Sequence, residues 1–273
     1  MTEISDETES FRYIINLVYD RCRVRLHDGK QALIRARLGK RMRLHGFATF
    51  ADYCHFLKHQ ANETEITQVI DALTTNFTNF LREPEHLRFM VEQLGAKFGG
   101  GGARQFQIWS AACATGEEPY SIAFYLSEAF PPTAGWDWRV LASDVSTKAT
   151  DKAKAGIYPA ERLAMLPREW LQRYFQRGLN DWKDYYRVKP KVAERVLFQQ
   201  FNLLGTYDVK GAFDLIFCRN VMIYFDRPTQ EQLVNRLCRY LLPGGYLLIG
   251  HSESLNGLSV PLRCLRPSIY QKP

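Results

Sequence analysis

Residues 106 to 123, FQIWSAACATGEEPYSIA, have types and spacings suited to holding a nucleoside. An apolar run (Phe106, Ile108, Trp109) reads as a strand. Very small residues from Ser110 to Gly116 read as a tight loop, and a helical segment opens on Glu117 and Glu118. Small residues in a strand–loop–helix turn let the backbone come close to a ligand. Glu117 and Glu118 are either ligand contacts or first-turn acids that favour the helix dipole. Twenty-six residues beyond Glu118, a second apolar run (Trp138, Val140, Leu141, Ala142) ends in Ser143-Asp144. An acid at the end of the second strand of a doubly wound sheet usually holds ribose hydroxyls. Ala112, Ala114 and Gly116 stand where a G-x-G-x-G fingerprint would, which disfavours a bulky pyrophosphate. A nucleoside cofactor without phosphate fits better, and S-adenosylmethionine is the common one.

These residues need a sheet to hold them. From 105 onward, strand patterns (105–110, 138–143, 195–200, 213–218, 245–250) alternate with helical ones (117–130, 146–155, 229–242). That alternation predicts an α/β fold, a doubly wound Rossmann-like parallel sheet with helices on both faces. The gap between Asp144 and the third strand is too long for one βα unit. Its excess, about 157–192, ends in the alternating Tyr185–Val192 and predicts a small antiparallel β insertion. Residues 1–75 show helical spacing (Phe11, Ile14, Ile15, Val18; Phe47, Phe50, Tyr53, Phe56, Leu57) and predict a small all-helical N-terminal domain. Residues 76–104 form the link. Asn76, Thr78 and Arg82 alternate there with Phe77, Phe80 and Leu81, Pro84 suits a first helical turn, and Gly99–Gly102 form a flexible connector. Residues 105–273 then make the sheet domain.

The net charge of +7 is local. Nine basic residues and two acids lie between Asp20 and His45, a balance equal to that of the whole chain. Arg37, Lys40 and Arg41 would share a helix face beside the apolar Ile34, Leu38 and Met42. A localised positive field recruits an acidic partner, or serves only as a solvated face. Six cysteines without a C-x-x-C pair fit a reduced, cytoplasmic protein, and the polar, acidic MTEISDETES is no signal peptide. Cys113 and Cys218, within the cofactor segments, have no neighbouring base and read as packing residues. His27, His45, His55, His59, His86 and His251 have no spacing that implies a metal, so none is expected.

Five segments in order, TTNFTNFLRE, WSAACATGEEPYSIA, ASDVS, FDLIFCRNVMIYFD and LLPGGYLLIGHSESL, resemble the chemotaxis receptor methyltransferases of the CheR type over nearly the whole chain. The resemblance implies transfer of a methyl group from S-adenosylmethionine to glutamate side chains of chemoreceptors, leaving S-adenosylhomocysteine. It implies Asn76, Thr78 and Arg82 at or around the methionine portion, Glu118 on its amino group and Asp144 on the ribose. Asn202 and Leu203 would flank the adenine. Arg219 and Asn220 would lie near the reacting end, with Tyr224 close to the methyl group; Arg219 and Tyr224 are the catalytic candidates. Arg219 would orient the incoming carboxylate bidentately. The partner would be the cytoplasmic helical methylation region of chemoreceptors, an acidic surface met by Arg35, Arg37, Lys40, Arg41 and Arg43. Members that dock a receptor tail carry a glycine-rich loop in the insertion; RGLNDWKDYYRV has only Gly178, so tail docking is not expected. No membrane insertion is expected, and nothing calls for an oligomer.

Other functions fit less well. Methylation of a nucleic acid would use the basic window on phosphates, but FCRNVMIY replaces the D/N-P-P-Y motif expected for exocyclic amines. A non-catalytic cofactor-binding adaptor would have lost Arg219 or Tyr224. A nicotinamide dehydrogenase would share Asp144 but not the alanine-for-glycine loop.

Overall fold

The computed structural model describes residues 2–26, 28–98, 105–209 and 211–273, with backbone only at 2–6, 28 and 98. His27 and the glycines of the expected connector at 99–102 lie outside the described residues.

The N-terminal region packs four helices: α1 (Thr2–Cys22), α2 (Gln31–Leu44), α3 (Phe50–His59) and α4 (Glu63–Leu73). Thr49 and Asn62 cap α3 and α4, their side-chain oxygens accepting from Asp52 N and Glu65 N. Phe11, Ile14, Val18, Ile34, Leu38, Tyr53, Leu57 and Val69 form the core, with Ile15 and Met42 half-buried against it. Inside it Glu65 accepts from Tyr53 Oη at 2.6 Å, lies 2.9 Å from His45 Nε2 and pairs with Arg41. An irregular run from Thr74 leads to α5 (Pro84–Phe98), which starts on the proline whose fixed φ suits a first turn.

The remaining chain builds a seven-stranded sheet in the order β6-β2-β1-β7-β8-β10-β9. Its parallel part is β1 (Gln105–Ala111), β2 (Asp137–Asp144), β6 (Val196–Gln200), β7 (Phe213–Cys218) and β8 (Leu241–Ile249). Two strands unforeseen in the sequence, β9 (Arg263–Arg266) and β10 (Ile269–Gln271), add an antiparallel edge. Both are short, and β9 is exposed throughout, so neither shows an in–out alternation. Helices α6 (Glu117–Ala129), α7 (Thr147–Ala155) and α10 (Arg227–Tyr240) cover the faces. Phe106, Ile108, Trp138, Val140 and Phe217 point to one core; Trp109, Ala111, Leu141, Ile216 and Leu247 point to the other. A ligand crevice forms where strand order reverses. Here that point is β1, with β2 on one side and β7 on the other. The insertion holds β3 (Ile157–Pro159), α8 (Arg168–Tyr174), β4 (Phe175–Arg177), β5 (Tyr185–Val188) and α9 (Pro190–Ala193), with an antiparallel sheet in the order β3-β5-β4. No described helix is long and apolar enough to cross a membrane.

The helical region is fastened to the rim of the crevice. Tyr19 Oη donates to Asp226 Oδ2 at 2.7 Å, Arg25 pairs with the same carboxylate at 3.2 Å, and Arg25 N donates to Tyr224 O at 2.9 Å. Asp226 also caps α10 by accepting from Thr229 N. The Thr229 and Tyr19 hydroxyls hold its carboxyl down at about 2. Asp226→Ala removes the cap and both tethers. A loss of about 1–2 kcal/mol in urea unfolding is expected; an unchanged midpoint would show that the tethers contribute nothing.

Candidate active site

The crevice lies at the carboxyl ends of β1, β2 and β7. Asn76, Thr78, Arg82, Glu118, Asp144, Asn202, Leu203, Arg219, Asn220 and Tyr224 all line it. Its other wall comes from the helical region, with Val24, Arg25, Leu26, Lys30, Leu33 and Arg37.

The loop after β1 is shaped by backbone strain. Ala112, Ala114 and Gly116 take φ of 69°, 49° and 96°. The three positions where a glycine fingerprint would stand are thus all left-handed, and each alanine there costs on the order of 1–2 kcal/mol. Two hydrogen bonds offset this cost by fastening the loop to the end of β2: Cys113 N to Ser143 O and Ala114 N to Asp144 Oδ2, both 2.8 Å. Asp144 Oδ1 accepts from Ser146 N at 2.9 Å. Burial pushes the Asp144 carboxyl up in pKa, and these N–H groups oppose the shift. Each oxygen keeps lone pairs for the hydroxyls of a ribose.

The two neighbouring glutamates divide their roles. Glu117 is fully buried, pairs with Arg162, accepts from Thr115 Oγ1 at 2.6 Å and lies outside the crevice. Glu118 lines the crevice and accepts from Ser110 Oγ at 2.7 Å and from Arg219 Nη1 at 3.1 Å. Burial raises the Glu118 pKa, and Arg219 pulls it back. An enclosed carboxylate of this kind suits an ammonium group.

Arg219 differs from its expected role. Its side chain is 1% exposed. Nε and Nη2 reach Glu83 Oε2 at 3.1 and 3.0 Å, Nη1 reaches Glu118, and Nη2 donates to Arg82 O at 2.6 Å. With its donors so committed, it is not free to grip an acceptor carboxylate bidentately. It positions Glu118 and the turn before α5. Glu83, unassigned from the sequence although it ends TTNFTNFLRE, is the partner that holds it, at a strained φ of 51°. Burial alone would raise the Glu83 carboxyl; Arg219 and His251 N bring it below its ordinary range.

The other crevice residues have equally specific places. Thr78 is buried, and Asn76 Nδ2 donates to Ser146 Oγ at 3.4 Å. Asn202 Nδ2 donates to Arg21 O at 2.6 Å, beside the buried Leu203. Asn220 has φ of 58°, and its N donates to Glu253 Oε2 at 2.9 Å. Glu253 also accepts from Gly250 N and Ile223 N at 2.6 and 3.2 Å, so one carboxylate shapes the loop that carries Tyr224. The sequence reading missed it, although HSES follows the last long apolar run. Burial pushes the Cys113 and Cys218 thiols well up, leaving them unreactive.

The expected docking face is redistributed. Arg37 turns into the crevice and donates to Leu73 O and Thr74 O at 2.8 and 3.2 Å. Arg41 is spent on Glu65, and Arg35 pairs with Glu7. Lys40 and Arg43 are exposed, with no ion pair among the described residues. Two of the six histidines read as having no metal spacing come together with a carboxylate. His86 and His251 gather around Glu83, with their ligand atoms and a carboxylate oxygen within 4.8 Å of one another. Burial, then Arg219, holds the His86 pKa down at about 3.

Two family models cover most of the chain: the CheR methyltransferase SAM binding domain over residues 76–270 and the CheR methyltransferase all-alpha domain over 9–74. A chemotaxis protein methyltransferase of Salmonella typhimurium is 42% identical over 249 residues, covering 91% of this chain and 84% of that protein. Chemotaxis protein methyltransferase 2 of Pseudomonas aeruginosa is 37% identical over 267 residues, 96% of this chain and 92% of that one. A chemotaxis protein methyltransferase of Borreliella burgdorferi is 36% identical over 265 residues, 95% and 92% of the two chains. The donor set in the crevice fits the cofactor, with an enclosed carboxylate for its ammonium (Glu118) and another with free lone pairs for its ribose (Asp144).

At Gly116 a Cβ would lie 2.8 Å from both Ala153 Cβ and Tyr158 Oη, at a φ of 96°. Gly116→Ala is expected to lower stability by about 1–3 kcal/mol and to weaken S-adenosylhomocysteine binding in calorimetry. Unchanged affinity would mean that the loop does not shape the crevice.

Proposed function

Since this chain belongs to the CheR methyltransferase family and is an S-adenosylmethionine-dependent methyltransferase, we propose that its acceptors are glutamate carboxylates on the helical methylation region of chemoreceptors. The observation that carries this reading is the crevice itself, where two enclosed carboxylates, Glu118 and Asp144, share one wall system with Tyr224 and the cationic Arg25, Lys30 and Arg37.

When bound, S-adenosylmethionine supplies a sulfonium methyl group as electrophile. A glutamate acceptor, with an ordinary pKa of about 4.3, is already ionised at neutral pH and requires no general base. The protein's part is therefore alignment and exclusion of water. In this reading Glu118, kept charged and oriented by Arg219, holds the ammonium group, and Asp144 holds the ribose. Asn202 and Leu203 flank the adenine; Asn76, Thr78 and Arg82 close the methionine end. Asn220 and Tyr224, set by Glu253, face the reacting centre. Val24, Leu26, Leu33 and Val221 keep it dry. Arg25, Lys30 and Arg37 replace Arg219 as the cations that meet an incoming carboxylate. Outside the crevice, Lys40 and Arg43 attract an acidic helical surface and raise the rate of encounter. The protein acts in the cytoplasm, as a monomer, on receptors it meets from that side.

The test is transfer of labelled methyl to chemoreceptor-containing membranes. Label released as methanol by mild alkali supports glutamate esters; alkali-stable label would overturn the acceptor assignment. Tyr224→Phe is expected to lower kcat by at least about tenfold while cofactor affinity stays within a factor of about three. Lys40→Glu with Arg43→Glu should lower receptor methylation at physiological salt and leave cofactor affinity unchanged, and unaltered methylation would remove these two residues from docking.

A further inference from the structure

We propose that Glu83, His86 and His251 form a binding site for a divalent transition metal of the zinc class, set behind Arg219 and outside the cofactor crevice. None of the three lines that crevice.

The hydrogen-bond pattern around His86 carries the inference. Its side chain is 1% exposed. Nε2 lies 2.8 Å from Ser268 Oγ, and Ser268 Oγ itself donates to Pro267 O at 2.6 Å. A hydroxyl has a single proton, so Ser268 accepts from His86 and the imidazole carries its proton on Nε2. Nδ1 is then a bare lone pair. It has no hydrogen-bond partner among the described residues, and it lies 3.3 Å from Glu83 Oε2 without the alignment of a hydrogen bond. A buried ring nitrogen left without a partner, with a carboxylate oxygen and a second imidazole within 4.8 Å, is a donor set that a metal ion could satisfy.

His251 completes the set. Its Nε2 is 3.9 Å from the same Glu83 oxygen, and its ring meets His86 edge-on at 4.9 Å and 81°. Ligands at about 2.0–2.2 Å in a tetrahedral zinc site lie about 3.3–3.6 Å apart. The Glu83–His86 pair already has that spacing. His251, 52% exposed, can close the remaining gap and leaves the fourth position open to solvent. Two imidazoles and a carboxylate suit zinc, cobalt or nickel rather than magnesium or calcium.

The site shares Glu83 with Arg219. A metal drawing on that carboxylate weakens its hold on Arg219, and Arg219 in turn orients Glu118. Metal and cofactor occupancy are then linked, and each changes the affinity of the other by the same factor.

The test is titration of the metal-free full chain with cobalt(II), followed by its visible absorption bands and by calorimetry. One-to-one binding with tetrahedral-type bands is expected. His251→Ala, at a surface position, should weaken it by at least about tenfold with the unfolding midpoint unchanged. No saturable binding up to about 1 mM, or binding that His251→Ala leaves unaltered, would overturn the site.

Discussion

Arg219 is a fully charged side chain, 1% exposed, held by Glu83, Glu118 and the Arg82 carbonyl. A buried guanidinium persists only where its donors are matched, and removing a partner leaves an uncompensated charge costing roughly 3–5 kcal/mol. That constraint sets the crevice. Arg219 follows β7, Glu118 opens α6, and Arg82 and Glu83 form the turn before α5. One cation therefore fixes the relative positions of three segments that each supply crevice residues. The strained φ at Leu81 and Glu83, 57° and 51°, belongs to the turn that brings Glu83 to it.

The Asp144 side of the crevice follows a different logic with the same outcome. Asp144 is held by backbone N–H groups rather than by a counter-charge, and the loop that supplies one of them pays for the contact with two left-handed alanines. A salt-bridged carboxylate at one site suits a cationic group. A carboxylate held by amides, with lone pairs to spare, suits neutral hydroxyls. The helical region then closes the crevice over both, tied down at Asp226, Tyr224 and Asn202.

Much of this was legible in the residues. Strand–loop–helix patterning placed Ser110–Glu118, and the acid ending the second apolar run placed Asp144, because both follow from local periodicity. The insertion was legible as excess length with alternation. The roles of individual cations were not. Arg219 and Glu83 are 136 residues apart, and Glu83 and His251 are 168 apart, so no spacing rule links them. Arg37 and Arg41 share a helix face with Lys40 in the sequence pattern, yet the fold turns one to the crevice and consumes the other on Glu65. Strands β9 and β10 were missed because four and three residues without alternation carry no signal.

The central claim is that Arg219 acts on the cofactor side, through Glu118, rather than by gripping the acceptor. Calorimetric titration of S-adenosylhomocysteine into Arg219→Ala tests it most directly. Affinity lost in step with methyl transfer is the predicted result. Near-normal affinity with transfer abolished would contradict it and return Arg219 to the acceptor.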